Sequence, residues 1–428
     1  MIIDLVGITA LLFLALCVTI CSLRWPTVTK ILWAAFVVRV FVLLFHLYIS
    51  PLPEMSGDDI IFERVAWELA QYGFMDAFSN LELNNSYLIS WVISLFYAAT
   101  DRSLLLAHSL SVLMGTGTVL LGWLLFRELW GDRIAIKGAW LLVFFPSLVL
   151  YSVLIQRESY ITLFLTLGLL GAVYWIRTSR LRSLLLAIFG LGVATLFHGA
   201  MFIVPLIFFV IIFWQSLKKI IVGLKRFKLS GNLFTLLLST LIVLVFFFSG
   251  KFYVSKIGNI NSLDLERLIR ITKISTRSSG GNQDGGSYPI WTVPNSLFEL
   301  TYKMPVRSIY FLFSPFPWDV RKLSHIIGSF DGLMYMVLVF FLFCNRKAIW
   351  ADPATRFILL ALLVSLLAFG IGVGNFGTGL RHRSKFVVMI IAMAAPYLPR
   401  LVWQSKHKTS LPILADKNSK ISSEKKKL

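Results

Sequence analysis

The chain has 428 residues, of which 57% are hydrophobic and only 14% charged, where an average soluble domain carries about a quarter charged residues. That balance excludes a soluble enzyme and predicts an all-α polytopic membrane protein, because open strands cannot satisfy their backbone in lipid. The formal net charge of +20 is read first as Lys and Arg collecting in cytoplasmic loops; with no soluble basic domain beside it, no nucleic-acid partner is predicted.

Residues 2–22 and 30–50 are the first two predicted spans. The N-terminus has no basic segment ahead of its apolar run, so it reads as a retained span rather than a cleaved signal. Arg24 and Lys30 mark the connecting loop as cytoplasmic. Residues 51–102 then form a first outer loop rich in acid (Glu54, Asp58, Asp59, Glu63, Glu68, Asp76, Glu82). Within it, 87–99 is apolar but too short to cross and is expected as an interfacial or re-entrant helix. Spans at 103–126 and 138–156 flank a basic turn holding Arg127, Arg133 and Lys137. This brings Arg157 and Glu158 to the same face as Asp58.

Residues 159–176 return inward. The tract 183–216 has basic clusters at both ends and must cross twice, so its polar break at His198-Gly199 should turn on the outer face. A span at 232–249 leads to a long polar segment, 250–306, whose centre SSGGNQDGGS (278–287) reads as a mobile loop, a lid or a plain connector. The run IYFLFSPFPW (309–318) is too short to span and fits the membrane interface, so 250–324 is expected as a second outer region. Spans at 325–344, 356–375 and 386–402 complete about eleven transmembrane helices, with residues 1–403 as one membrane domain and 404–428 as a basic cytoplasmic tail. The sequence RHRSK (381–385) falls on the outer face, against the positive-inside rule, and so needs a compensating partner. Cys17, Cys21 and Cys344 show no metal-ligand spacing and no disulfide framework is expected. Asp331, inside an apolar span, defaults to a functional position unless it pairs with a neighbour such as Arg321.

The candidate chemistry lies in these outward-facing polar groups. Asp58 and Asp59 could simply favour the N-terminus of a helix starting near Ile60. Arg157 and Glu158 could be an interfacial pair with the arginine reaching the headgroups. The basic cluster could attract anionic lipids, although that reading fits either face while topology disfavours the outer one. His198 by itself reads as a structural histidine. The alternative for all of them is one site for an anionic substrate.

The segment GDDIIFERVAWELAQYG (57–73) resembles the first outer loop of the C-fold glycosyltransferases, the superfamily that includes protein O-mannosyltransferases and lipid A aminoarabinose transferases. Asp58, Asp59, Phe62, Ala66 and Gly73 fall on its pattern, with Phe62 where Tyr is common. FPSLVLYSVLIQRESYITLF (145–164) is similar to the second outer motif, with Glu158 in place of the more frequent Asp. A final outer loop bearing Arg also fits, whereas His198 departs from the Arg or other polar residue found at a comparable turn.

The resemblance implies a transferase taking sugar from a polyprenyl-phosphate donor to a glycan, lipid or protein acceptor, at the outer face of the cytoplasmic membrane of a bacterium and in contact with membrane lipids. It implies Asp58 as base or acceptor-orienting residue, Asp59 beside it, and Glu158 as a supporting carboxylate or metal ligand. Arg381, Arg383, Arg157, His382 and His198 would be the phosphate-side groups. A divalent metal, Mg or Mn, stays open as cofactor. The rival readings are an envelope polysaccharide polymerase or ligase and, in a different class, a transporter or flippase, against which the absence of a visible internal repeat counts.

Overall fold

The computed structural model describes residues 4–52, 57–79, 87–224, 253–254, 258–259, 265–277, 286–321 and 323–399. Its helices in chain order begin with α1 (Leu5–Arg24) and α2 (Thr29–Tyr48). Three short helices follow: α3 (Gly57–Ala70), α4 (Phe74–Ser79) and α5 (Leu88–Ala99). Next come α6 (Leu104–Trp130), α7 (Asp132–Phe144), α8 (Pro146–Tyr151), α9 (Arg157–Thr178), α10 (Leu181–Phe197) and α11 (Ile203–Leu224). The remainder are α12 (Leu265–Arg277), α13 (Leu297–Phe313), α14 (Leu323–Cys344), α15 (Arg346–Ala351), α16 (Pro353–Gly372), α17 (Phe376–Arg383) and α18 (Val387–Ala394). A two-residue hairpin, β1 (Tyr253–Val254) with β2 (Gly258–Asn259), is the one sheet among the described residues.

Seven of the described helices are long and apolar enough to cross a membrane: α1, α2, α6, α9, α11, α14 and α16. The other expected crossings depart from a single long helix for identifiable reasons. At 138–156 the helix starts earlier, at Asp132, and breaks at Phe145, whose extended backbone (ψ 118°) is what a following proline demands. Helix α10 is apolar but 17 residues long, and the tract 181–224 does turn at His198. The expected span at 386–402 is replaced by the eight-residue α18, whose every side chain is buried. The expected span at 232–249, most of the Gly/Ser/Asn-rich segment and the tail from 404 lie outside the described residues.

Three further expectations are corrected. The segment 250–306 is not a bare polar loop, since it contains α12 and the start of α13. The run 309–318 is not an independent interfacial piece: its first half is the last turn of α13, which tolerates Pro305 within it. RHRSK is also not a loop. It forms the end of α17 and a 3-10 turn (Ser384–Phe386) leading directly into α18.

Packing is closest where side chains are smallest. A Cβ on Gly190 of α10 would meet the Gly168 backbone nitrogen of α9 at 2.4 Å, and one on Gly171 would meet the Ala187 nitrogen at 2.4 Å. The two backbones therefore touch, which in lipid is how helices gain dispersion and exclude voids. Between α6 and α7, Gly131 takes the left-handed backbone (φ 82°) that lets the chain reverse within one residue.

Helix ends buried at one end of this bundle leave carbonyls without partners, and three buried arginines supply donors. Arg39 of α2 donates to Leu142 O at the α7 break and to Ser152 Oγ beyond α8. Arg307 of α13 donates to Gly370 O (3.0 Å) and Val373 O (2.6 Å) at the end of α16. Arg383 donates to Leu312 O and Ser314 O at the end of α13 and to Gly328 O of α14. Arg39 and Arg307 tie off helices that lead into the polar cluster described next, and Arg383 lies in the helix that carries part of it.

Candidate active site

Three separated stretches supply the cluster, and each is held by its own local chemistry. Helix α3 presents Asp58 and Asp59 in its first turn, and the 100° step between neighbours sends them to different faces. Asp58 is half-exposed, its side chain 48% accessible, while Asp59 is buried. The turn Ser152–Gln156 ends with Gln156 in extended backbone as the N-cap of α9, which puts Arg157 and Glu158 at the start of that helix. Asn375 caps α17 by accepting from Thr378 N at 2.7 Å. The residues before it are pinned by Tyr288 N donating to Gly374 O and Phe376 N to Gly286 O. That anchor fixes the helix carrying Arg381.

Arg381 is the bridge. Its Nη1 donates to Asp58 Oδ2 at 2.5 Å and its Nε to Glu158 Oε1 at 2.9 Å. Burial opposes its charge, but Glu158 and Asp58 together hold the guanidinium above its ordinary range. Glu158 Oε1 is approached further by Lys385 Nζ (3.4 Å) and His382 Nδ1 (3.6 Å), while Glu158 Oε2 is buried with no partner among the described residues. Arg157 lies over the Phe62 ring, 5.6 Å from its centroid, with its Nε buried and unpartnered among the described residues. His198 meets the His382 ring edge-on at 5.2 Å and stacks on Phe369. Its Nδ1 is likewise buried without a partner among the described residues. Residues 58, 157, 158, 198, 381 and 382 thus converge in one place.

Two of the sequence candidates go elsewhere. Arg383 is fully buried and spends its donors on Asp331 (Nη2–Oδ2, 2.9 Å) and on the carbonyls of α13 and α14. It is a structural clamp with no hydrogen left for a phosphate, and it, rather than a neighbour such as Arg321, is the partner of Asp331. The two positions from Arg381 to Arg383 turn a side chain about 200° around α17, which moves Arg383 off the face that Arg381 occupies. Asp59 sits behind Asp58, accepting from Ile155 N at 2.6 Å. Burial pushes its carboxyl up to about 6 against the opposing pull of that N–H and of His46. It holds the 152–156 turn rather than facing the open side.

Lys385 is the group the sequence reading left out of the site. It was visible only as one cation in a basic run, and nothing in that run says which members face inward. His46 and His108 were likewise unremarked in their apolar spans. With Asp59 they bring two imidazoles and a carboxylate within 4.8 Å of one another. His108 Nδ1 donates to Val153 O at 2.7 Å, leaving Nε2 as a free acceptor, but His46 Nδ1 accepts from Leu52 N at 3.0 Å. That places the His46 proton on Nε2, so this ring stands as a donor there and not as a ligand. Mg and Mn prefer oxygen ligands in any case, and Glu158, surrounded by cations, is no better a place for either. Among the described residues, neither set fits the divalent metal that the resemblance left open.

Comparison with known proteins bears on the fold. Residues 84–242 match the model of the family described as dolichyl-phosphate-mannose-protein mannosyltransferase. Among solved structures, the fold is similar to the archaeal oligosaccharyltransferase AglB from Archaeoglobus fulgidus, solved in complex with an inhibitory peptide and a dolichol-phosphate. The TM-score is 0.53 at 12% identity over 87% of this chain, which spans only 50% of the AglB chain. No curated protein matches the chain by sequence.

Proposed function

Taking the chain as a membrane protein with the C-fold of glycosyltransferases, we propose that it moves a sugar from a polyprenyl-phosphate donor to a hydroxyl of a glycan, lipid or protein at the outer face of the cytoplasmic membrane. The observation that carries this reading is Arg381 joined at once to Asp58 and Glu158, three residues spread over more than three hundred positions. In the reaction, the acceptor oxygen forms a bond to the anomeric carbon. The carbon–oxygen bond to phosphate breaks with its electron pair staying on the phosphate, and the hydroxyl proton passes to Asp58. Asp58 suits that task because it is the accessible carboxylate of the cluster. Arg381 and Arg157 hold the phosphate, the latter with an Nε that no described protein group uses, and both stabilise the charge that develops on it. Glu158 orients Arg381 from behind. Arg383 has no part in this step.

The direct test offers the purified protein, reconstituted in liposomes, three radiolabelled donors: a polyprenyl-monophosphate sugar, a polyprenyl-pyrophosphate glycan and a nucleotide sugar. Transfer from the first alone supports the reading. Transfer only of a preassembled glycan from pyrophosphate supports a polymerase or ligase instead, and use of the nucleotide sugar removes the proposal. Arg381→Lys is expected to lower turnover about 10- to 100-fold at unchanged protein yield. An ammonium cannot span both carboxylates, and one charge-assisted hydrogen bond is worth about 1.5–3 kcal/mol. Wild-type turnover in that variant would show that the bridge is incidental.

A further inference from the structure

Behind Glu158 lies a lysine that a solvated basic run would not require. Lys385 is fully buried, with its Nζ 2.9 Å from His382 Nδ1, 3.4 Å from Glu158 Oε1 and 5.4 Å from the centre of the Phe369 ring. The charged groups that act on it are Glu158 and Arg157 of α9 and Arg381 of α17. The titratable rings beside it are His382 of α17 and His198, between α10 and α11, on which Lys385 acts in turn; α16 contributes only the Phe369 ring. Two carboxylates, Glu158 and Asp58, are therefore already matched by two guanidinium groups, Arg157 and Arg381, before the lysine is counted. A charged ammonium added to that set, away from water, lacks an anion of its own.

We propose that Lys385 is a positioning residue that takes up a proton when the donor phosphate binds beside Arg157 and Arg381, and holds that proton behind Glu158 through the transfer. This rests on the donor reading above and goes beyond it by assigning a proton-coupled step to a residue that touches no substrate. The geometry supplies the parts. His382 is kept neutral by burial and by Lys385, so its Nδ1 serves as the acceptor for an Nζ hydrogen in either state. Burial brings Lys385 down to about 7, with Glu158 opposing. A phosphodiester carrying one negative charge restores the balance of the pocket and favours the ammonium. When the glycosyl–oxygen bond breaks, the leaving phosphate gains a second negative charge, and the loaded ammonium offsets it through Glu158 and Arg381 without giving its proton away.

The sign follows from the resting state. Well below pH 7 Lys385 already carries its proton and binding takes up none. Above pH 7 it is mostly neutral, and binding raises its proton affinity.

The experiment is calorimetric titration of the full-length protein in nanodiscs with a short-chain prenyl methyl phosphate, a diester with no titrating proton, in two buffers of different ionisation enthalpy. At pH 8 the wild type is expected to take up between about half and one proton per site, and at pH 6 close to none. Lys385→Met, which keeps the length of the neutral form, is expected to bind with no uptake at pH 8. Lys385→Arg, permanently charged, is expected to bind with none at either pH. Binding by the wild type without proton uptake at pH 8 overturns the proposal while leaving the donor reading intact, as does uptake that persists in Lys385→Met. Failure of the wild type to bind the diester at all removes the donor reading and this inference with it. If Lys385→Met does not fold, the wild-type difference between pH 8 and pH 6 still decides the matter.

Discussion

Asp58→Asn is expected to leave the protein folded and inserted, and to reduce sugar transfer by about 10²–10⁴-fold, the usual reach of a positioned general base. The change keeps shape and a hydrogen-bonding oxygen for Arg381 but removes the group that accepts the hydroxyl proton. Little stability should go with it. Asp58 is half-exposed, so its ion pair is screened by water, and Arg381 keeps its second partner, Glu158. The measurement is initial rate of transfer against thermal midpoint in detergent for wild type and variant side by side. Near-wild-type rates would take Asp58 out of the mechanism, and a collapsed midpoint would make it structural. Asp59→Asn is the internal contrast. That side chain accepts from Ile155 N, and an amide oxygen can still do so, which leaves the 152–156 turn in place.

Arg383→Met is expected to do the opposite, lowering stability first. Arg383 and Asp331 are both buried to within 1%, and removing one member of such a pair strands the other, at a cost of about 3–5 kcal/mol. The α13 and α14 carbonyls at Leu312, Ser314 and Gly328 lose their donor in the same step. The expected result is low yield in the membrane fraction and a depressed thermal midpoint, partly recovered in Arg383→Met/Asp331→Leu because the orphaned carboxylate is gone. A variant that folds with a wild-type midpoint and fails only in donor binding would return Arg383 to the phosphate site where its sequence neighbourhood first put it.

The pair Arg381 and Arg383 shows where reading the chain stops. Both belong to one basic run on a face where such charge is disfavoured, and that run was recognisable as needing partners. Which arginine meets Asp58 and which meets Asp331 depends on the face each takes in α17, and that orientation is set by Asn375 capping the helix and by the anchor at Gly374 and Phe376. His198 illustrates the reverse. A parity argument over an apolar tract with two basic ends was enough to require a turn at this residue, and the break between α10 and α11 occurs there.

Hydropathy alone determined that the chain is a bundle of membrane helices, because a backbone in lipid has few other ways to satisfy itself. It also set most of their positions, since a run of about 20 apolar residues has one economical use. The acidic helix at 57–70, Arg157-Glu158 and the basic run were legible as unusual polar groups for the same reason: lipid tolerates few of them. Tertiary structure alone decided which of these groups are paired with one another and which are spent as clamps. It made Arg39, Arg307 and Arg383 caps for broken helices, withdrew Asp59 into the interior, and brought Lys385 beneath Glu158. Such assignments depend on side-chain direction and on contacts between residues hundreds of positions apart, neither of which local composition or spacing encodes.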